Sequence, residues 1–297
     1  MNIIIIVISI ISITALVIAC IAFSRTFKNN RARFSEKQGR KVLKDLNLKY
    51  NVDLITYADN ESLPAHRKGT SYVETQKKMV KFFKDFFPQI QKFHVFGIKD
   101  KKSSTFPKNN PKLFDPKQIV GSDPKRKFGV YIYKFYLIHK VLKTEIKDND
   151  FLLMHDANPS GWDKYFNKKH TPYLLNKHID KCIKNKGVLV WTRVASGPMR
   201  TNGYASPELL KDLKATNLDA PAICCSWILL QKTDHVLDLW ERMINYATSD
   251  RFLTLRNPRS KNYDTDQDIL DIFLRKEGMT INANANGKII LASFPDP

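Results

Sequence analysis

The chain is short of acidic residues and of cysteine. Against 49 Lys and Arg it carries only 29 Asp and Glu, a formal net charge of +20, so its field favours anionic partners: phosphates, nucleic acid or an anionic membrane surface. The four cysteines, Cys20, Cys182, Cys224 and Cys225, lack metal-ligand spacing and the density of a disulfide scaffold. They read as reduced thiols, the adjacent pair lying in a core strand. There is no internal repeat, no domain boundary after residue 50, and no recognised nucleic-acid motif. The basic residues are spread along the chain rather than gathered on one face with base-reading partners, so nucleic acid is not the expected ligand despite the charge. No Lys or Arg precedes the first apolar run, which argues against a cleaved signal peptide.

That run, Ile3 to Phe23, is 21 uncharged residues, and at ~1.5 Å per residue it matches the ~30 Å hydrocarbon core of a bilayer. We expect one transmembrane helix over 3–23, followed by a basic juxtamembrane stem over 24–49. Arg25, Lys28, Arg31, Arg33, Lys37, Arg40, Lys41 and Lys44 all follow the span, so the positive-inside rule puts the larger part in the cytosol. The stem either lies on anionic headgroups or is a solvated spacer.

From residue 50 to 297 the pattern alternates short β-rich runs with helical ones. Strands are expected at 52–58, 92–98, 150–157, 187–193 and 222–231, with two short ones at 279–282 and 288–294. Helices are expected at 70–87 with Thr70 or Ser71 as cap, at 128–146, at 171–185, from Ser206, at 235–247 and at 266–278. The Lys-, Pro-, Ser- and Asn-rich stretch 99–124 reads as a long loop. Strands alternating with crossover helices predict one α/β domain with a mostly parallel sheet covered on both faces, and such sheets bind ligands at the carboxyl ends of their strands.

The segment "FLLMHDANPS" (151–160) brings His155, Asp156 and Asn158 to that edge. Oxygen ligands two residues apart can turn toward one hard cation, Mn²⁺ or Mg²⁺. They equally suit an Asx-turn that satisfies its own backbone, and His155 suits a structural role. In "NYDTDQDILDIFLRKEG" (262–278), Thr265 and Asp268 have capping-box spacing. Asp266 and Gln267 begin the helix, where a carboxylate is stabilised by the dipole.

The residues "FLLMHDAN", "FGVYIYKFYLIHKVL" and "DQDIL" resemble motifs of nucleotide-sugar glycosyltransferases of the GT-A fold, in polysaccharide, capsule and glycogenin-like members. The resemblance runs from about residue 50 onward. It implies that Asp156 and Asn158 stand where a DxD-like motif holds the cation and the donor diphosphate, and that Lys134 contacts that diphosphate or the sugar. It also implies that Asp266 and Gln267 lie near the acceptor or reacting sugar, and that Thr56, Tyr57 and Asp59 lie where nucleotide base and ribose bind. Two departures stand out: Asn158 replaces the second Asp, and the glycogenin-like "HxxGxxKPW" segment is missing. Trp162 and Trp191, expected just beyond strand ends, suit stacking on sugar faces or ordinary packing.

The expected activity is therefore transfer of sugar from a nucleotide-sugar donor to a glycan, lipid-linked or protein acceptor, at a membrane, with a divalent cation. Two alternatives stay open: a membrane-tethered polyanion-binding protein, and a catalytically degenerate domain of the same fold.

Overall fold

The computed structural model describes residues 50–62, 71–87, 90–120, 123–157, 174–192, 205–215, 223–255 and 265–279. The expected span Ile3–Phe23, the stem, Asn158, Trp162 and the two terminal strands lie outside them, save Met279. Among the described residues no helix is long and apolar enough to cross a membrane.

Seven strands and nine α-helices are described. The strands are β1 (Val52–Ala58), β2 (Ile90–Gly97), β3 (Ile119–Val120), β4 (Asp123–Lys127), β5 (Phe151–His155), β6 (Val188–Thr192) and β7 (Ile223–Gln231). The helices are α1 (Tyr72–Phe86), α2 (Ile98–Ser103), α3 (Thr105–Asn109), α4 (Phe128–Thr144), α5 (Leu174–Lys184), α6 (Pro207–Asp212), α7 (Asp234–Thr248), α8 (Asp250–Leu255) and α9 (Asp266–Lys276). Helix starts follow their capping chemistry. Ser71 Oγ accepts from Glu74 N–H at 3.1 Å, Ser206 Oγ from Leu209 N–H at 3.1 Å, and Thr233 Oγ1 from Val236 N–H at 3.2 Å, each satisfying an orphan donor of the first turn.

Five strands form the main sheet in the order β2-β1-β5-β7-β6. β1 pairs in parallel with β2 and β5, while β7 runs antiparallel to both β5 and β6. The sheet is thus mostly parallel, as the sequence predicts, but mixed, with one reversed strand. A strand buried on both faces is a continuous apolar run in either direction, so "AICCSWILL" carries no sign of its polarity.

Alternation along the strands splits the core between two faces. Val52, Leu54, Phe151, Leu153, Leu189 and Leu229 meet Met79 and Phe83 of α1 and Ile179 and Cys182 of α5. Ile55, Tyr57, Leu152, Met154, Ile228 and Leu230 meet α4, α7 and α9. α4 is apolar almost all round, with buried residues from Phe128 to Leu142, the pattern of a helix enclosed by protein. Cys182 and Cys225 are buried and not joined in a disulfide.

The stretch predicted as a loop over 99–124 instead holds α2, α3 and the two-stranded β3–β4 ribbon. Its apolar residues are few but well placed: Phe106, Leu113 and Val120 are buried, while Lys99, Lys102, Lys108 and Lys112 stay exposed. Gly129 permits that anchorage, since a Cβ there would stand 2.7 Å from Phe114 and 2.9 Å from the Leu113 carbonyl oxygen. The short helix α8 is also additional to the sequence reading.

Candidate active site

β1 and β5 are adjacent, with their last common pair at Ile55 and Met154, so the residues that follow emerge side by side at the carboxyl edge. Asp156 has the parity of Leu152 and Met154 and belongs to the α4 face. There Lys134, the cation in an otherwise apolar stretch of α4, meets it: Nζ is 3.4 Å from Asp156 Oδ1 and 3.4 Å from Asp266 Oδ2. The side chains of Lys134 and Asp266 are 11% and 5% exposed and that of Asp156 27%, so Asp156 is the member open to solvent. The Tyr131 ring lies 5.3 Å from the ammonium, close enough for a cation–π contribution. Three segments far apart in the chain thus meet at one point.

Burial pushes the Lys134 ammonium toward deprotonation, but the charges of Asp156 and Asp266 outweigh it and hold its pKa above the usual lysine value. Asp266 moves the other way for a carboxylate. Burial and, less strongly, Asp156 raise it, against the pull of Lys134 and of a bond from the Gln267 backbone N–H, and the net shift is upward. One ammonium between two carboxylates leaves a negative charge over, and the buried partner, Asp266, is the one driven toward its protonated form. Gln267 is half-buried beside it.

His155 acts locally. Its Nδ1–H donates to the Asp156 carbonyl oxygen at 3.0 Å, its ring lies 5.8 Å from Phe83, and burial lowers its pKa to about 4. It is a neutral residue that fixes the turn out of β5. Asp268 is likewise a capping residue: its Oδ2 accepts from the Thr265 N–H at 2.7 Å and hydroxyl at 3.1 Å.

At the end of β1 the three expected donor residues separate. Tyr57 Oη donates to Asp59 Oδ2 at 2.9 Å, Lys101 Nζ meets the same oxygen at 2.5 Å, and Glu61 N–H donates to Asp59 Oδ1 at 2.8 Å. Burial would raise Asp59, yet Lys101, Tyr57 and the Glu61 amide hold it below the usual carboxylate value. Thr56 points to the opposite sheet face, 1% exposed, with no partner for Oγ1 among the described residues. The Tyr57 ring also meets Tyr133 of α4 at 5.6 Å, and Tyr136 stacks on Phe106 at 4.4 Å.

Sequence reasoning missed Lys101, because it is one of several lysines in "KDKKSS", and Tyr131, whose role depends on Lys134. It also missed the buried ion pair of Asp271 and Arg275, 2.8 Å apart, for which the four-residue spacing on a helix is the available signal. Trp191 lies within β6, paired with Cys224, rather than beyond its end, because the apolar run continues through it.

The Mn²⁺ or Mg²⁺ expected from the sequence involves Asp156 and Asn158, the second outside the described residues. Among the described residues no three His, Cys, Asp or Glu side chains gather as a metal set. Asp156 faces an ammonium instead. Unit charges ~4 Å apart at an effective dielectric of ~20 repel by about 4 kcal/mol, and a divalent ion doubles that. A divalent cation on Asp156 would feel that repulsion together with the attraction of the Asp156 and Asp266 carboxylates.

Compared with known proteins, the chain matches no family model and no curated protein. Among solved structures it is similar to a 4-diphosphocytidyl-2C-methyl-D-erythritol synthase from Anaerococcus prevotii, at 13% identity over 81% of this chain and 91% of that one, with a TM-score of 0.39.

Proposed function

We propose that the chain is a membrane-anchored glycosyltransferase, moving a sugar from a nucleotide-sugar donor to a glycan, lipid-linked or protein acceptor. The observation that supports this best is the convergence of Asp156 and Asp266 on the Lys134 ammonium, at the strand edge where α/β sheets bind ligands. In the reaction the bond from the anomeric carbon to the diphosphate breaks, and its electron pair leaves with the phosphate oxygen. The acceptor oxygen bonds to that carbon and releases its proton. Lys134 opposes the charge growing on the leaving group. The Asp156 carboxylate faces the oxocarbenium-like sugar. Asp266, whose burial favours protonation, takes the acceptor proton, and Gln267 orients the acceptor hydroxyl. The nucleoside lies toward Tyr57 and Asp59, with Asp59 acting through Lys101 and Tyr57, and Thr56, buried on the opposite face, supports the strand. A Mn²⁺ or Mg²⁺ ion at Asp156 and Asn158 stands as a separate proposal, and no step here depends on it.

The full-length chain, assayed against a panel of nucleotide sugars for release of nucleoside diphosphate, tests this. Wild type turns over at least one donor, and Asp156→Ala loses about 100-fold or more, the scale of removing one electrostatic contact to a transition state, with its melting temperature nearly unchanged. Near-normal turnover in Asp156→Ala overturns the site. A wild type that binds polyanions and turns over no donor favours the binding-protein alternative. Protease protection in sealed membranes reports the proposed cytosolic side, and glycan attached at Asn60 would place the domain in the lumen.

A further inference from the structure

We propose that the α1 and α5 side of the domain is a docking face for an anionic lipid surface; this goes beyond the transferase reading and rests only on its membrane anchorage. α1 buries Met79, Phe82 and Phe83 and turns Lys77, Lys78, Lys81 and Lys84 outward with Glu74 and Asp85. Glu74 and Asp85 are taken by Lys77 and Lys81 of the same helix, which leaves Lys78 and Lys84 as its net charge. α5 buries Leu175, Ile179 and Cys182 at helical spacing. Its outward residues Lys181 and Lys184, with Lys186 in the turn beyond, face water with Asp180. On the other side of the sheet, α7 turns out Asp234, Asp238 and Glu241 against Arg242. These helices give the two sides opposite sign, and such a field turns the basic side toward an anionic surface.

Charge alone suits any polyanion. Lipid is favoured because the two large apolar side chains exposed among the described residues, Val95 at 47% and Ile183 at 38%, both belong to the basic side. Val95 has the parity of Phe93, which packs on the α1 core,, and Ile183 lies next to Lys184 on α5. An apolar side chain among lysines leaves water when it enters the headgroup region of a bilayer; nucleic acid offers it no such exchange. Each lysine brought close to the surface strengthens binding by about fivefold. The expected span Ile3–Phe23 would keep the face near a bilayer, where weak contacts suffice. Lys134, Asp156 and Asp266 meet on the α4 side, so docking leaves them turned to the aqueous phase.

The test labels amines of the full-length chain with a membrane-impermeant acetylating reagent, in vesicles of phosphatidylcholine with and without phosphatidylserine, and reads each lysine by mass spectrometry. The reference is Lys211 and Lys276, exposed on helices of the other side. Relative to these, labelling of Lys78, Lys84, Lys181 and Lys184 falls about threefold or more in the anionic vesicles, and recovers in ~1 M salt, where the screening length is ~3 Å. Ile183→Asp, at an exposed position, loses most of that protection, and so does the double variant Lys181→Glu, Lys184→Glu. Equal labelling in both kinds of vesicle overturns the docking face and leaves the anchor standing. Flotation with anionic vesicles alone, the same lysines protected, supports the face and overturns the anchor. A mixed-sequence oligonucleotide that protects these lysines equally in neutral detergent, in wild type and Ile183→Asp alike, overturns the choice of lipid.

Discussion

Two charge clusters sit side by side at the carboxyl edge of the sheet, and they are built in opposite ways. At the end of β1 one carboxylate, Asp59, receives Lys101 at 2.5 Å, Tyr57 at 2.9 Å and a backbone N–H at 2.8 Å. At the end of β5 one ammonium is divided between two carboxylates at 3.4 Å each. The first is closed: its partners satisfy the carboxylate and hold it ionised. The second is open, with more negative charge than Lys134 balances and a buried acid driven toward protonation. A satisfied cluster gains nothing from a ligand, whereas an underbalanced one at a solvent-facing edge is suited to bind and to move a proton.

The sharpest way to break this comparison is to neutralise one acid in each cluster. Asp266→Asn removes the proton acceptor, and turnover should fall by about 100-fold or more. Its stability should move little, or rise at neutral pH. A folded-state pKa above the unfolded value contributes stability that is full below the unfolded pKa and lost as pH rises through the folded one, so at pH 7 this group is already a cost. Thermal melts beside donor turnover read both effects. A large drop in melting temperature with turnover intact would show that the second cluster is structural.

Asp59→Asn should do the reverse. It leaves the Lys101 ammonium, 15% exposed, without its countercharge, and stability should fall by about 2–3 kcal/mol, roughly 5–10 °C in a domain of this size. The maximal rate should change little. Because Asp59 is depressed in the folded state, its stability is present above the unfolded value of 3.8 and lost as pH falls through the folded one,. Acid unfolding followed by circular dichroism should therefore show a shallower acid limb in the variant than in wild type. A variant with normal melting and a much raised donor KM would move Asp59 from scaffold to nucleoside recognition.

The open cluster was the more legible of the two in the sequence. Asp156 and Asp266 sit in patterned segments, an apolar strand end and a capped helix start, so they stand out against their neighbours, whereas Lys134 is reached only through the resemblance of its helix to the family's segment. Lys101 sits among Lys99 and Lys102, and nothing local distinguishes the lysine that bends back to Asp59. The same holds for the fold. Strands and helices with strong periodicity appear within a few residues of expectation, Val52–Ala58 among them. The helices in 98–109 do not, because Phe106 is the single buried residue in α3 and α2 has none. The direction of β7 is set by its partners, Leu152↔Leu230 and Val188↔Leu230 among the pairs, and pairing is a long-range property that a local apolar run does not encode.

A third carboxylate sharpens the comparison by separating pKa direction from openness. Asp271 lies on the same helix as Asp266, fully buried, with Arg275 at 2.8 Å. Burial raises it to about 6, against the pull of Arg275 and a backbone bond from Ile223. It is raised as Asp266 is, yet it is paired with Arg275 at 2.8 Å rather than with Lys134, so an upward shift alone does not mark a reactive acid. The folded state holds its proton more tightly than the unfolded chain. Its stabilising contribution is therefore complete below 3.8, declines between 3.8 and about 6, and is absent above that,. Asp271→Asn, which cannot titrate, should flatten the pH dependence of stability in that window alone. The change should be no more than the ~1.4 kcal/mol per pH unit that a single proton allows, with turnover close to wild type. Urea unfolding of both proteins at half-unit steps from pH 4 to 7 measures it. Parallel curves would mean that Arg275 keeps Asp271 ionised throughout, which would make it a second closed carboxylate of the Asp59 kind and leave Asp266 as the buried acid whose proton is free to move.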